Sequence, residues 1–282
     1  MKKLTQAKYL PIDKLKPFEG HPFYVKDDDD MEQLTESIRQ QGVLNPIMVR
    51  PLDTGEYEVI SGHRRLHACK KAGIEMIPAF IYSMDRNEAV VAMVDSNLHR
   101  EKLLPSEKAF AYKMKMDGLK HQGTSRQLGT KLRSDEEIAE TAGESARQIQ
   151  RYIRLTNLIP EILQMVDEGK IALTPAVELS YLDKDTQEIV LDAMEQEDCT
   201  PSYSQAVRMK KLYNSNLLDE DTIYSIMAEE KANQREKISF HVNDIRDYFP
   251  RGYTASQMSR EILQALEERR VRAIRERDRD DR

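Results

Sequence analysis

A short strand, a glycine turn and a helix follow one another early in the chain, and this stretch constrains the fold most. Tyr57–Ile60 is a β-branched and aromatic run typical of strands, and Ser61-Gly62 interrupts it. From Arg64 to Ala72 apolar residues recur at helical spacing until Gly73, a typical helix stop. Free backbone N–H groups of the first helical turn converge at such a junction, so the pattern predicts an anion site.

Two arginines, Arg64 and Arg65, lie in the first turn of this predicted helix. Cations there oppose the helix dipole at a cost of about 0.3–1 kcal/mol each, and a bound anion would reverse that sign. Guanidinium groups also suit phosphate oxygens. The alternative is that both arginines are solvated or paired with the acidic loop Asp27–Asp30. The spacing favours phosphate but leaves both interpretations open, because short glycine motifs often match by chance.

Two short helices joined by a glycine turn are predicted between about residues 134 and 158. Ser134–Glu137 and Ser145–Gln148 are capping boxes, and Gly143 lies between them. The second helix carries a stripe of arginines flanked by polar residues, and its DNA-contacting candidates are Ser145, Arg147, Gln148, Gln150, Arg151 and Arg154. Arg and Gln read base edges in the major groove. The alternative, a solvated face, would usually mix signs, but Ala146–Asn157 contains no acid.

The distribution of charge matters more than the net charge of −6. Residues 98–134 hold nine Lys/Arg against three acids, whereas residues 155–230 hold sixteen acidic and five basic residues. A basic band followed by an acidic body suits a protein that presents one face to a polyanion. The DNA-contacting candidates in the basic band are Lys120, Arg126 and Lys131.

Composition bounds the class of protein. A chain of 282 residues suits two or three small domains, and 33% charged against 39% apolar residues predicts small cores and mostly helices. The sequence contains no apolar run that would span a bilayer and no signal-peptide pattern, so we expect a soluble, cytoplasmic protein without a membrane partner. Cys69 and Cys199 are too few and too far apart for a disulfide framework or a zinc site.

Three motifs in order resemble those of ParB-type chromosome and plasmid partition proteins. Gly62–Ala68 is similar to that family's nucleotide-binding signature, usually Gly-Glu-Arg-Arg-x-x-Ala. The first motif is Gln41–Ile47, and the third is Ser96–Arg100, similar to Glu-Asn-x-Gln-Arg. The helix-turn-helix pattern follows, and the resemblance covers about residues 8–182.

The patterns and the resemblance together predict an α+β protein. A small mixed α/β domain of the ParB/sulfiredoxin type is expected over residues 1–98, followed by an all-helical, DNA-binding domain over 99–215. Residues 216–282 are expected to form an acidic linker and a short strand–helix segment. Lys237–Val242 alternates like a strand, and Thr254–Gln257 caps a helix with one apolar face. That face cannot form a core alone, so docking or self-association is expected.

The resemblance implies a nucleoid-associated partition protein of a plasmid, integrative element or chromosome. CTP with Mg²⁺ would close a homodimeric clamp on palindromic double-stranded DNA, and a ParA-type ATPase is a candidate partner. In the family's motifs the glycine and arginines hold the triphosphate, the first motif lies near the base, and the third completes the pocket. Carried over to this chain, the cofactor-binding candidates are Asn45, Pro46, Ser61, Gly62, His63, Arg64, Arg65, Asn97 and Arg100.

The sequence patterns also allow two other classes of function. A transcription regulator could use the same helix-turn-helix without nucleotide gating. An enzyme is the weaker alternative, since related folds include sulfiredoxin, a serine kinase and described nucleases. Sulfiredoxin chemistry needs a reactive cysteine near Gly62–Arg64, whereas Cys69 lies on the helix body. The sequence contains no carboxylate cluster with clear metal-ligand spacing.

The chain departs from the family pattern at two positions associated with metal and hydrolysis. His63 and Ser96 stand where ParB proteins usually have glutamates. Neutral histidine and serine are poor ligands for Mg²⁺, which prefers carboxylate and water oxygens. Asp95 lies one residue away, but a helix turns about 100° per residue, which would aim its carboxylate elsewhere. We therefore expect CTP binding with slow or no hydrolysis, so that at most weak CTPase activity is predicted.

Overall fold

The computed structural model describes residues 2–3, 6–98, 100, 103–122, 134–229, 242–250 and 252–280. The chain divides into two compact units, residues 1–229 and 230–282. Within the described ranges, none of the helices combines the length and apolar character needed to cross a bilayer.

A mixed sheet forms the centre of the N-terminal region. Its described strands are β1 (Lys2–Lys3), β2 (Lys8–Pro11), β3 (Leu15–Lys16), β4 (Ile47–Pro51), β5 (Tyr57–Ser61) and β6 (Met76–Ser83). Strand β6 pairs antiparallel with β1 and β2 and parallel with β4. Strand β4 pairs antiparallel with β5, which pairs parallel with β3. The predicted strand at Tyr57–Ile60 is therefore confirmed.

Three helices accompany this sheet: α1 (Asp29–Gln41), α2 (His63–Ala72) and α3 (Arg86–Leu98). One core lies among the strands, α1 and α2, and it buries Met31, Val49 and Cys69 completely. A second core joins α3 to the loop that follows β3, with Phe18 and Phe23 packed near Met93. These two cores hold the N-terminus of α2 beside that loop, which is where the candidate site lies.

The described residues from 103 to 229 form the helices α4 (Pro105–Gln122), α5 (Ser134–Ala142), α6 (Ala146–Arg154), α7 (Pro160–Asp167), α8 (Leu173–Leu179), α9 (Lys184–Gln196), α10 (Tyr203–Asn214) and α11 (Glu220–Met227). Helix α4 contacts α3, α5, α6 and α7. Tyr112, Ile138 and Ile149 form a small core where α4 meets α5 and α6. A larger core lies among α7–α11. The predicted α/β domain followed by a helical domain is confirmed.

The second unit contains α12 (Val242–Ile245), a short 3-10 turn and α13 (Ala255–Asp280). The predicted strand Lys237–Val242 lies outside the described residues up to 241, and Val242 begins a helix instead. Thr254 and Gln257 form the predicted capping box, because each backbone N–H donates to the other side chain, at 2.8 and 3.3 Å. Leu263 and Leu266 on α13 are exposed. Self-association of this helix stays a prediction.

Candidate anion site and recognition helix

The glycine before α2 shapes the candidate anion site. Gly62 adopts a left-handed conformation with φ of 103°, and no side chain caps the helix. A Cβ atom there would lie 2.6 Å from Cγ2 of Ile47. Only glycine therefore fits, and the first-turn N–H groups of α2 are free of any side-chain cap. Ser61, the preceding candidate, ends β5 and pairs with Met48.

Arg65 connects two of the sequence motifs. Its Nη1 donates to the backbone carbonyl oxygens of Asn45 and Pro46, at 2.5 and 2.8 Å. Burial lowers the pKa of the Arg65 guanidinium. The structure thus brings Asn45, Pro46 and Arg65 together. Because Nη1 of Arg65 already donates to the two carbonyl oxygens, it is not free to bind a phosphate. Arg65 fastens the first motif to the second.

Arg64 is held more loosely. Its Nη2 lies 3.6 Å from a carboxylate oxygen of Asp28, and both side chains are more than a third exposed. The neighbouring Asp27 pairs with His67 and Lys71 further along α2. Pairing with the acidic loop, the alternative interpretation, is therefore present. Exposed pairs of this kind contribute only about 0–1 kcal/mol, so a more highly charged anion would displace Asp28 readily.

Arg100 brings a second cation to the same place. Its guanidinium carbon lies 5.5 Å from the centroid of the Phe23 ring. Burial lowers the pKa of Arg100, the Glu107 carboxylate opposes this, and the Arg64 cation adds to it. The Phe23 ring contacts His21, which stacks on His63 in the first turn of α2. Arg100 therefore lies near an uncapped helix N-terminus, where an anion would be stabilised.

A pair of stacked imidazoles lies beside these cations. The rings of His63 and His21 have centroids 3.8 Å apart and are tilted by 42°. His63 is 8% exposed, and its Nε2 lies 3.5 Å from the backbone N–H of Phe18. Burial, with His21 and Arg100 adding to it, lowers the pKa of His63 to about 3. Histidine therefore stands neutral where the family usually has a glutamate.

The loop that carries His21 was missed from the sequence. It contributes Phe18, His21 and Phe23 to the surroundings of His63 and Arg100. Burial also lowers the pKa of His21, whose Nδ1 lies 2.8 Å from the carbonyl oxygen of Phe23. Its Nε2 is buried and lacks a hydrogen-bond partner in the described part of the chain. The loop has no periodic pattern, so only its cluster of aromatic residues could have indicated a packed role.

Asn97 and Ser96 of the third motif bond within their own helix. Asn97 is 4% exposed, and its amide nitrogen donates to the carbonyl oxygen of Met93 in the same helix, at 2.7 Å. Ser96 donates to the same carbonyl oxygen, at 2.9 Å. Asp95 pairs with the buried Lys115 of α4. Among the described residues, no group of three or more His, Cys, Asp and Glu side chains is arranged to hold a metal ion.

Helix α6 holds its arginines in three different ways. Arg147 is exposed and makes no hydrogen bond or ion pair to the described residues. Arg151 is half-buried and donates to the Thr174 hydroxyl at 2.7 Å. Arg154 donates to the carbonyl oxygen of Ser180 at 2.6 Å, and its guanidinium carbon lies 3.9 Å from the centroid of the Tyr181 ring. Arg147 is thus exposed, whereas Arg151 and Arg154 are half-buried and are held by contacts to other helices or to the turn after α8.

The polar candidates of the same helix are also occupied. The Ser145 hydroxyl caps α6 by accepting from the N–H of Gln148, at 3.2 Å. The Gln148 side-chain oxygen accepts from Arg151, at 3.1 Å. Gln150 donates to Asp135 on the preceding helix, at 3.2 Å. The other predicted capping box, Ser134–Glu137, lies at the edge of the described residues and stays a prediction.

The basic band is partly neutralised within the fold. Lys108 pairs with Glu144 at 2.7 Å, and Lys115 is 2% exposed against Asp95. Lys120 remains 61% exposed, 3.4 Å from Asp117 of the same helix. Two further candidates, Arg126 and Lys131, lie outside the described residues.

Comparison with known proteins places the chain in a family. The family model of the ParB N-terminal domain matches residues 2–98, and that of the ParB HTH domain matches residues 101–211. The probable chromosome-partitioning protein ParB of Coxiella burnetii is 32% identical over 179 residues, which are 64% of this chain and 57% of the relative. The nucleoid occlusion protein of Listeria monocytogenes is 32% identical over 188 residues, which are 67% of this chain and 61% of that relative. The chain spans about three fifths of these relatives' length.

Among solved structures, the C-terminally truncated chromosome-partitioning protein ParB from Caulobacter crescentus, complexed to the centromeric parS site, aligns with 78% of this chain. The alignment covers 98% of that protein, with 22% identity and a TM-score of 0.44. The two domain models match consecutive segments in the order that the sequence motifs predict, and curated relatives share about a third of the aligned residues. The chain belongs to the ParB family.

Proposed function

We propose that this chain is a sequence-specific DNA-binding partition protein that acts as a CTP-gated dimeric clamp. The observation that carries the proposal is the uncapped N-terminus of α2, with Arg64 in its first turn and Arg100 held over Phe23, whose ring contacts the His21 ring that stacks on His63. Backbone N–H groups and neighbouring cations are suited to a polyphosphate. The nucleotide would supply the binding energy that favours the closed clamp.

The residues present fit a nucleotide triphosphate. Gly62 lets the backbone approach the phosphates, because a side chain there would strike Ile47. Arg64 would exchange Asp28 for a phosphate oxygen, and Arg100 would meet the same group from the other side. Arg65 would act indirectly, by holding the carbonyl oxygens of Asn45 and Pro46. The first motif would then lie beside the nucleobase.

The same residues do not fit a magnesium site. His63 is neutral and buried, and Ser96 and Asn97 donate to the same backbone carbonyl oxygen. Magnesium prefers carboxylate, phosphate and water oxygens. The proposed clamp therefore opens by nucleotide dissociation rather than by hydrolysis on a metal held by these side chains.

Phosphate release tests that part of the proposal. We expect the wild type with CTP and cognate DNA to release phosphate near the background rate, because neither His63 nor Ser96 supplies a carboxylate that could orient metal or water. The double substitution His63→Glu/Ser96→Glu should raise the rate. Robust DNA-stimulated turnover by the wild type would reject this account and point to Asp95 or His63 as a working replacement.

Helix α6 is the proposed reader of DNA. Its exposed Arg147 and half-buried Arg151 would contact base edges or phosphates, and Ser145 would fix the helix start. Lys120 would add contacts that do not depend on sequence. The same proposal includes a palindromic DNA site, a homodimer, a ParA-type ATPase partner and a location on the nucleoid. These features are expected because they are typical of the ParB family.

Calorimetric titration with CTP tests the nucleotide site. Arg64→Ala should weaken binding about 10-fold or more, since a hydrogen bond to a charged group contributes about 1.5–3 kcal/mol. Lys71→Ala is the matched control, because it removes a cation that pairs with the acidic loop from the far end of α2. Equal affinity of wild type and Arg64→Ala would remove this pocket from the account. Tight DNA binding without any CTP binding would instead favour a transcription regulator.

A further inference from the structure

The first turn of α4 is bonded to the loop beside the candidate nucleotide site. Glu107 is 6% exposed, although it carries a carboxylate. One of its oxygens accepts from the backbone N–H of Tyr24, at 2.8 Å, and the other accepts from that of Leu104, at 2.9 Å. The loop that carries His21 and Phe23 is thus fastened to the start of α4 by one buried side chain.

Arg100 and Glu107 contact neighbouring residues of the same loop. The Arg100 guanidinium carbon lies 5.5 Å from the centroid of the Phe23 ring, and Glu107 accepts from the backbone N–H of Tyr24. A triphosphate at α2 would carry several negative charges and would attract the Arg100 guanidinium. It would therefore draw Arg100 away from Phe23, so occupancy of the site changes the contacts of the loop that Glu107 holds.

The same turn of α4 is bonded on its other side to the DNA-binding helices. The backbone N–H of Ser106 donates to one carboxylate oxygen of Asp167, at 2.9 Å, and its hydroxyl donates to the other. Asp167 is the last residue of α7, and Ser106 is 3% exposed. Helix α7 follows the recognition helix after one 3-10 turn, so consecutive residues of α4 contact the two regions.

We propose that Glu107 is the positioning residue that couples nucleotide occupancy to DNA binding, through Arg100 on one side and the Ser106–Asp167 pair on the other. The proposal rests on the nucleotide site proposed above. In the empty site Arg100 stays over Phe23, and Glu107 holds the loop and α4 together through the N–H groups of Tyr24 and Leu104. A bound triphosphate draws Arg100 away, and the orientation of α4, with α7 attached, then changes. Coupling of this kind is a difference between two affinities and belongs to neither site alone.

The test is a thermodynamic cycle on the full-length chain. The affinity for a DNA duplex, selected from a random library by the wild type, is measured with and without saturating CTP, and the ratio of the two is the coupling factor. Glu107→Gln keeps the size of the side chain but removes the charge and one acceptor. In Glu107→Gln we expect the affinity for CTP, and the affinity for DNA without CTP, to stay within about 3-fold of wild type. The coupling factor, typically about 5–150 in allosteric proteins, should fall towards one in this variant.

Matched variants separate coupling from damage to the fold. Asp117→Asn removes a carboxylate from the exposed side of α4 and should keep the wild-type coupling factor. Asp167→Asn should lower it, whereas Glu168→Gln, which removes the adjacent exposed carboxylate, should not. If Glu107→Gln melts below the assay temperature, Ser106→Ala serves in its place, because it keeps the backbone donor and loses only the hydroxyl bond to Asp167.

The outcomes distinguish this inference from the proposed function. A full coupling factor in both Glu107→Gln and Ser106→Ala overturns the inference and leaves CTP binding intact. A wild-type chain that binds DNA equally with and without CTP also overturns it. No CTP binding by the wild type removes both proposals. A lowered factor with both separate affinities preserved supports the role of Glu107, because a merely structural residue would change the affinities themselves.

Discussion

The N-terminus of α2 and the recognition helix α6 both present arginines to a proposed polyanion, but they hold them in opposite ways. At α2 the inner arginine, Arg65, is fixed on backbone carbonyl oxygens, and the charge is left to Arg64 and to Arg100, which follows α3. Along α6 one helix supplies every arginine, and anchoring increases from Arg147 to Arg154. The first site is assembled from distant segments, whereas the second is a single surface.

This difference determines how each site should fail. A site assembled from several segments depends on close packing and on the protonation of buried groups, so small changes should affect stability and binding together. A helical surface depends on which side chains are free, so substitutions there should separate stability from binding. Three predictions, ordered by expected size, test that contrast.

The largest effect is expected at the glycine of the assembled site. Gly62→Ala should lower the free energy of unfolding by about 3 kcal/mol, since it adds strain at positive φ and a clash with Ile47. It should abolish CTP binding as well. Chemical denaturation and calorimetry measure the two effects.

Gly73→Ala is the matched control for this change. Gly73 ends the same helix with φ of 73°, but a Cβ atom there meets nothing within 4 Å. We expect a loss of only about 1–2 kcal/mol from the left-handed conformation and normal CTP binding. Equal losses in the two variants would show that close packing at Gly62 is unimportant.

The second effect is a dependence of stability on pH. The pKa of His63 falls to about 3 in the folded chain, mainly because the side chain is buried. Below the ordinary value of about 6.5 the unfolded chain therefore binds more protons, and stability falls as the pH falls through this window. The contribution of His63 at pH 5 is a loss of about 2 kcal/mol relative to pH 7.5. His21 shifts in the same direction.

Denaturation at pH 7.5 and pH 5 measures this loss. His63→Gln should flatten the slope, whatever its effect on stability at neutral pH. A wild-type chain with the same stability at both pH values would mean that His63 is accessible to protons and that the site is open rather than packed.

Local patterns predicted the elements better than the contacts. The strand, turn and helix around Gly62 and the recognition helix were evident because periodicity and capping are properties of neighbouring residues. The bond from Arg65 to Asn45 joins residues 20 apart, so its spacing gave no signal. Asn97 was expected in the pocket, whereas its amide donates within its own helix.

The departures from the family pattern were visible in the sequence, but their consequence was not. His63 and Ser96 could be identified as substitutes for carboxylates from the motifs alone. The stacking of His63 on His21 depends on a loop without periodic pattern, which only tertiary packing places. The α/β and helical regions and the family were therefore predictable, and the division of the arginines between anchoring and presentation was not.

The smallest effect is expected at the anchored end of the recognition helix. Arg154→Ala should lower the free energy of unfolding by about 1–2 kcal/mol, because it removes bonds to Ser180 and the packing on Tyr181. Arg147→Ala should change stability by less than about 0.5 kcal/mol, since its side chain is exposed.

Arg151→Ala should weaken binding to the specific DNA site by about 1–3 kcal/mol and leave binding to random DNA largely unchanged. Denaturation curves and competition binding against both DNAs separate these results. If Arg154→Ala left stability unchanged and weakened only specific DNA, Arg154 would be a reader rather than an anchor, and the gradient along α6 would have no functional meaning.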